Sequence, residues 1–291
     1  MIGLIGGTGL GEALFGETHA ETHDIDTPFG KPGSPIRVLE WHGTRLALLA
    51  RHGEGHFYNP TQVPYRANIY ALKQLGVTHI LASGAVGSLR EEFKPRDLVI
   101  VDQLIDKTVA RPRTFFDDGL AVHVEFADPF CPDLRRVLLA AAERSDATVH
   151  PAGTYVCMEG PAFSTVAEAR LHRQWGGDLI GMTALPEARL AREAEICYAL
   201  VALVTDYDCW RPHSPGADKR KLLEEIIGHL QTATANAVRL LKSTIELLAK
   251  QPLGPSPIHS ALELAIWSDR SRITPAVYEK YGVLLSKYVP E

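Results

Sequence analysis

Two aspartates separated by one residue follow a long apolar run: Val204-Thr205-Asp206-Tyr207-Asp208-Cys209-Trp210. On extended backbone, residues two apart project to the same side, so both carboxyls share a face. Like charges held that close raise the pKa of at least one of them, which suits proton donation near neutrality. In a turn the same two aspartates would simply be solvated, and the pair alone leaves both readings open. A second stretch, Arg51-His52-Gly53-Glu54-Gly55-His56, joins a fixed cation and a second donor to glycines that admit close backbone approach. That combination suits an oxyanion. The N-terminal Gly6-Gly7-Thr8-Gly9-Leu10-Gly11 follows the apolar residues Ile2 to Ile5. Backbone N–H groups at such a strand end bind anions well. Glu12 and Leu14 stand where G-x-G-x-x-G would need glycine, and no Gly-Lys-Ser/Thr follows, so neither the dinucleotide nor the triphosphate signature is met. Ala82-Ser83-Gly84-Ala85-Val86-Gly87-Ser88-Leu89 offers small residues against which a flat ligand can lie. Met158-Glu159-Gly160-Pro161-Ala162-Phe163-Ser164-Thr165 places an aromatic ring beside a helix start, suited to stacking on a planar base or to core packing. Taken together, these segments suggest phosphate on one side of a site and a nitrogen heterocycle on the other.

Each segment needs a strand to deliver it. Apolar, strand-like runs recur at Met1–Ile5, Ile36–Trp41, Arg45–Leu49, His79–Ser83, Leu98–Ile105, Gly153–Met158, Leu179–Met182 and Cys197–Thr205. Helical patterns fall at Val63–Leu75, Thr165–Trp175, Glu187–Glu195 and Lys219–Ala249, with shorter ones at Ser260–Trp267 and Pro275–Ser286. Strands alternating with helices predict an α/β protein whose central sheet is covered by helices on both faces. In open α/β sheets ligands collect beyond strand ends, where the singled-out segments lie. The three prolines of Gln251–His259 end the long helix. We expect one domain over residues 1–250 and a C-terminal extension over 251–291 that completes it.

Composition narrows the function classes. Of 291 residues, 45% are apolar and 22% charged, as in ordinary globular proteins. A net charge of −5 and the lack of a Lys/Arg-rich run argue against a nucleic-acid partner. No stretch approaches the ~18 apolar residues that span a bilayer, and the N-terminus has no signal-peptide pattern. Cys131, Cys157, Cys197 and Cys209 form no C-x-x-C pair, so a zinc site made from cysteines alone is not expected, and reduced thiols in a cytoplasmic protein are the simplest reading.

The segments GGTGL, RHG, AVGSLREE with the downstream DLVIVDQ, EGPAFST, GMTALPEARLAREAEICYA and TDYDCW resemble, in this order, the methylthioadenosine-cleaving branch of the purine nucleoside phosphorylase family. Tyr281-Gly282-Val283-Leu284-Leu285 is similar to that family's C-terminal end, so the resemblance spans nearly the whole chain. It implies a three-layer α/β/α fold with a mixed sheet, assembly as a homotrimer with sites at subunit borders, and a role in purine and methionine salvage. The implied reaction is attack of inorganic phosphate on C1′ of S-methyl-5′-thioadenosine, giving adenine and 5-methylthioribose 1-phosphate, with no metal or organic cofactor. By this resemblance Thr8, Arg51, His52, Ser83, Ala85 and Thr183 hold phosphate, and Met182 meets the ribose hydroxyls through its backbone. Phe163 and Ser164 face the base, and Asp206 and Asp208 read the purine edge, Asp206 as the catalytic acid. His123, donated by a neighbouring subunit, and Leu284 line the 5′ pocket. Gly84 stands where the family often carries a hydroxyl residue and Ala162 where it often carries arginine. Residues 211–219 depart from the apolar family pattern, which leaves the 5′ substituent open.

Two alternatives stay in view. A 6-oxopurine or methylthioinosine phosphorylase would prefer an amide to the Asp206 carboxylate, because a 6-amino group donates where a 6-oxo group accepts. A nucleoside-binding protein without turnover would have no reason to keep the phosphate cradle.

Overall fold

The computed structural model describes residues 1–7, 13–14, 16, 19–211 and 218–288. Among these, eleven strands form one mixed sheet. In chain order the elements are β1 (Ile2–Gly6), β2 (Glu21–His23), β3 (Ile36–Trp41), β4 (Thr44–Ala50), α1 (Tyr65–Gln74), β5 (His79–Ser88), β6 (Leu98–Ile100) and β7 (Gln103–Lys107). There follow α2 (Pro132–Ala142), β8 (Val149–His150), β9 (Thr154–Met158), α3 (Val166–Gln174), β10 (Leu179–Gly181), α4 (Ala184–Glu193), β11 (Cys197–Tyr207), α5 (Lys219–Lys250) and α6 (Pro275–Leu285). The sheet runs β2-β3-β4-β1-β5-β10-β9-β7, with β11 also on β5 and leading to β6 and β8.

Helix ends follow local chemistry. Thr165 and Glu168 form a reciprocal capping box at the start of α3. Asp218 accepts from Arg220 N at the head of α5, and Thr274 caps α6 ahead of Pro275.

The layering is visible in the alternation of buried side chains. Ile5, Ala82, Tyr198, Leu200, Ala202 and Val204 join one apolar core with residues of α1, α4 and α6. Their strand neighbours Leu4, Leu81, Ala199, Val201 and Leu203 join a second core with residues of α2 and α5. A sheet whose successive residues enter two different cores has helices on both faces, hence three layers. This also explains why every residue from Cys197 to Thr205 is buried: a strand covered on both sides is apolar throughout.

β5 is the fork of the sheet. Its first half pairs in parallel with β1 and β11, and its end pairs antiparallel with β10. The strand expected over His79–Ser83 therefore runs on to Ser88. Gly84 and Gly87 lie inside it, where glycine marks a place of close approach. Leu98–Ile105, expected as one strand, is two: the chain bends at Asp102, whose carboxylate accepts from Gly153 N at 2.8 Å. The helix expected over Ser260–Trp267 does not form. That backbone instead makes successive turns, with Glu263 N donating to Ser260 O and Ala265 N to Leu262 O, and bonds across to the 121–123 segment, with His123 N donating to Ala265 O and Trp267 N donating to Ala121 O. β2, α2 and β8 were not expected from the sequence. Residues after Gln251 pack on the domain, with Leu262, Tyr281, Leu284 and Leu285 inside the first core.

Candidate active site

A cavity of about 540 Å³ opens where β1, β4, β5, β10 and β11 end. It is lined by Arg51, His52, Ser83, Ala85 and Thr183, expected to hold phosphate, and by Phe163, Ser164, Met182, Asp206 and Asp208, expected to hold the nucleoside. The structure thus brings ten of the expected residues together. Thr8 lies outside the described residues, although its neighbour Gly7 lines the cavity. His123 and Leu284 are not among the lining residues of the single chain. His123 packs at a tilt against Trp267, ring centroids 4.7 Å apart, and Leu284 is buried in the first core.

The cationic wall starts at the end of β4. Arg51 N donates to Gly6 O at 3.1 Å, tying the two strand ends together. The Arg51 side chain is buried. Its Nε donates to Glu187 Oε2 at 2.6 Å, Nη2 to Glu187 Oε1 at 2.8 Å, and Nη1 to Ser83 O at 3.0 Å. A guanidinium carries five N–H groups, so these three bonds leave two for a ligand. Burial by itself would lower the Arg51 pKa, but the charge and hydrogen bonds of Glu187 outweigh it and hold the pKa above its usual value. Glu187, on α4, is itself fully buried and accepts from the Tyr198 hydroxyl at 2.8 Å. Sequence reasoning did not single out Glu187, which stands in a helix that also carries Arg189, Arg192 and Glu193 and so gives no local signal.

His52 packs against His56, centroids 4.2 Å apart. Its Nδ1 lies 2.8 Å from Tyr58 O. A carbonyl can only accept, so Nδ1 carries the proton in this bond. Burial, reinforced by the positive charge of Arg51, depresses the His52 pKa to about 4. The ring is therefore neutral near pH 7 and its Nε2 is an acceptor, not the second donor expected from the sequence.

The opposite wall depends on a bulge. Val204 pairs with Val86 but Asp206 pairs with Gly87, so Thr205 is the extra residue. Its hydroxyl donates to Asp206 Oδ1 at 2.6 Å, and its carbonyl accepts from His229 Nδ1 of α5 at 3.0 Å. Asp208 N and Trp210 Nε1 both donate to Ser88 O, at 3.0 and 2.8 Å, which fixes the two-aspartate turn against the end of β5. Asp208 Oδ2 is buried with no hydrogen-bond partner. An orphaned buried acceptor is costly, so this oxygen is an open position for a donor.

The segment after β9 is knotted from behind. Glu159 accepts from Thr61 Oγ1 at 2.6 Å, from Val109 N at 2.6 Å and from Ala110 N at 3.1 Å, and it pairs with Arg111. Burial opposes the charged form, but these bonds win and hold the carboxyl down to about 2. Buried Arg111 donates to the carbonyls of Glu159, Met182 and Leu185, joining this segment to the start of α4. Two glycines make that approach feasible. A Cβ on Gly160, whose φ is +65°, would meet Met182 Sδ at 2.5 Å, and one on Gly181 would enter the Tyr155 ring. Tyr155 in turn accepts from Thr183 N at 3.3 Å, placing Thr183 beside Gly84. The cavity is closed by Ile226 and Leu230, one turn apart on α5, a wall that sequence reasoning also missed.

A family model described as the Phosphorylase superfamily matches residues 1–246. The S-methyl-5'-thioadenosine phosphorylase of Synechocystis sp. is 48% identical, covering 99% of this chain and 88% of its own. That of Geobacter sulfurreducens is 46% identical, covering 99% of both. Among solved structures, a methylthioadenosine phosphorylase from an antarctic soil metagenomic library matches with a TM-score of 0.90 at 44% identity over 98% of both chains. Methylthioadenosine phosphorylase from Schistosoma mansoni in complex with adenine matches with a TM-score of 0.79 at 31% identity, over 98% of this chain and 97% of that one.

Proposed function

This chain belongs to the phosphorylase superfamily, and from that premise we propose that it is an enzyme catalysing phosphorolysis of S-methyl-5′-thioadenosine to adenine and 5-methylthioribose 1-phosphate. The observation that carries the reading is one cavity lined both by Arg51, whose guanidinium is anchored on Glu187, and by Asp208, which has an unpartnered buried carboxylate oxygen.

Phosphate sits against the free N–H groups of Arg51, the Thr183 hydroxyl and the backbone of Ser83 to Ala85, with Thr8 completing the cradle. Neutral His52 accepts, at Nε2, the hydrogen of the phosphate P–O–H, so that the oxygens facing the sugar are the ionised ones. Arg51 is pre-set by Glu187, so no side-chain ordering is needed when the anion arrives. As the N-glycosidic bond stretches, positive charge develops on the ribose, and the phosphate beneath it both stabilises that charge and forms the new C1′–O bond. The leaving adenine gathers negative charge at N7. Asp206 supplies or shares a proton there, help worth roughly 10²–10⁴-fold. Asp208 Oδ2 takes a hydrogen bond from the base edge, and the Asp206 carboxylate, an acceptor, favours a 6-amino purine over a 6-oxo purine. Met182 meets the ribose, while Phe163 and Ser164 face the base. Ile226 and Leu230 offer apolar contact to a methylthio group.

Phe163 is 86% exposed although it lines the cavity, and Trp267, beside His123, is 73% exposed. Large apolar groups left open on a surface call for cover. A homotrimer supplies it, with His123 donated across the border and the segment 251–291 completing the site. No helix among the described residues is long and apolar enough to cross a membrane. A cytoplasmic enzyme that uses phosphate as substrate and needs no cofactor is consistent with these features.

The test is release of free base by purified protein. Adenine should appear from methylthioadenosine only when phosphate is supplied, and faster than hypoxanthine from inosine. Base released without phosphate means a hydrolase, and faster cleavage of inosine refutes the substrate assignment.

A further inference from the structure

At the opposite end of β5 and β11 from the cavity stands a group that phosphorolysis does not use. His79 begins β5 and Cys197 begins β11, and the two are register partners on adjacent parallel strands. His259, in the 3₁₀ turn Pro257–Ser260, folds under them. One donor atom from each of the three lies within 4.8 Å of the others. His79 Nδ1 is 2.9 Å from Thr78 Oγ1, while its Nε2 is buried with no partner. With the proton on Nδ1 and the threonine oxygen accepting it, Nε2 presents a bare lone pair, the arrangement in which metal-ligating histidines are held by a second-shell acceptor. His259 is tethered by two long contacts, Ser256 N at 3.2 Å and Thr78 O at 3.3 Å. Both are at the weak end for hydrogen bonds and are exchangeable for a coordination bond. Cys131, buried in the same core cluster as Cys197 and tied by its N–H to Tyr198 O at 2.8 Å, brings a further sulfur to this end of β11. Cys197 is fully buried and the two histidines are half-buried.

We propose that His79, Cys197 and His259 bind a thiophilic divalent cation, Zn²⁺ by ligand type, and that this ion pins the segment after Gln251 to the starting ends of β5 and β11. Two imidazoles and a thiolate are the donor set of a tetrahedral zinc site, with Cys131 or water in the fourth place. Bonds of about 2.0–2.3 Å require the three donors to close in, and the cheapest movement is that of His259, whose contacts are the weakest. The sequence conceals such a site because its ligands are far apart and carry no C-x-x-C or H-x-x-H spacing.

The full-length protein, stripped with a chelator and dialysed, is titrated with Co²⁺ and Zn²⁺ as probes. A thiolate-to-cobalt charge-transfer band with intense tetrahedral visible bands, lost on adding one equivalent of Zn²⁺, is the expected result. Tm should rise with Zn²⁺ concentration. His259→Ala, which alters the exposed end of the group and leaves the sheet intact, should abolish the band and weaken Zn²⁺ binding at least ~10–100-fold. Cys131→Ser distinguishes the fourth ligand: it shifts the band if Cys131 coordinates and leaves it unchanged if water does. Absence of a charge-transfer band in the folded parent, or a band and affinity unchanged in His259→Ala, overturns the proposal. Phosphorolysis is measured alongside and should be retained in His259→Ala, which separates this site from the catalytic one.

Discussion

Replacing Glu187 by glutamine tests whether the buried ion pair, and not Arg51 alone, makes the anion site. Both partners are buried, and the pair is joined at 2.6 and 2.8 Å. Glutamine keeps the volume but removes the charge, and its NH₂ group faces a donor of Arg51, so one of the two bonds becomes a donor–donor contact. Removing one partner of a buried pair costs about 3–5 kcal/mol, because the remaining charge is uncompensated. Unfolding entropy of about 2.1 cal/mol/K per residue over 291 residues is roughly 0.6 kcal/mol/K, so Glu187→Gln should lower Tm by about 5–8 °C. A bound phosphate restores negative charge next to Arg51, so the variant should regain more Tm on addition of phosphate than the parent gains. Differential scanning fluorimetry across a phosphate series reads both quantities. A Tm within about 1 °C of the parent, or an equal phosphate response in the two proteins, would refute the reasoning.

Three further outcomes follow from the same geometry. Asp206→Asn should lower kcat/KM for methylthioadenosine roughly 10²-fold or more and raise the inosine-to-methylthioadenosine ratio; an unchanged ratio means that Asp206 does not face the purine edge. Burial, eased by bonds from Phe115 N and Thr114, raises the Glu193 carboxyl to about 7. A carboxyl with a folded pKa above its unfolded value of about 4.5 contributes stability below that pH and loses it as pH rises through 7. Glu193→Gln should therefore gain up to about 3 kcal/mol relative to the parent between pH 4.5 and 7, and parallel stability curves would contradict this. Trp267→Asp should reduce the assembly to smaller species in light scattering, with loss of activity at low protein concentration; an unchanged mass shows that this face is not covered by another subunit.

The strands of the core were legible because an apolar run bounded by glycine or polar residues leaves few alternatives: Ile36–Trp41 falls where the pattern puts it. Asp206, Asp208, Arg51 and Phe163 were visible because polar or aromatic residues just after such runs are conspicuous. What escaped was long-range. Glu187 is one acid among many until the fold sets it beside Arg51, 136 residues away. The inner strand at Gly84 and Gly87 was hidden because glycine marks both turns and close approach, and only the pairing with β11 decides between them. His52 looked like a second donor to the anion; its neutrality follows from burial beside Arg51, and the engagement of its Nδ1 by the Tyr58 carbonyl leaves Nε2 an acceptor, neither of which is a local property.

The β11 bulge joins these threads. Without the extra residue, Thr205 would pair with Gly87 and Asp206 with Ser88, and a one-residue slip sends a side chain to the opposite face of the sheet. Asp206 would then point with Val86 and Val204 into the first core, against α1 and α4. The bulge turns it instead to the side where α5 packs, and α5 supplies both the His229 bond that holds the Thr205 carbonyl and the Ile226 and Leu230 wall of the cavity. One inserted residue therefore sets which layer the acid faces, and the long helix that recognises the insertion also shapes the apolar end of the site. The cation arrives from β4 by a different route, through a pair with α4 on the other layer. Opposite charges thus reach a single cavity from the two helical layers, neither passing through the other's core, which is how a sheet apolar on both faces can carry an ionic site at its end.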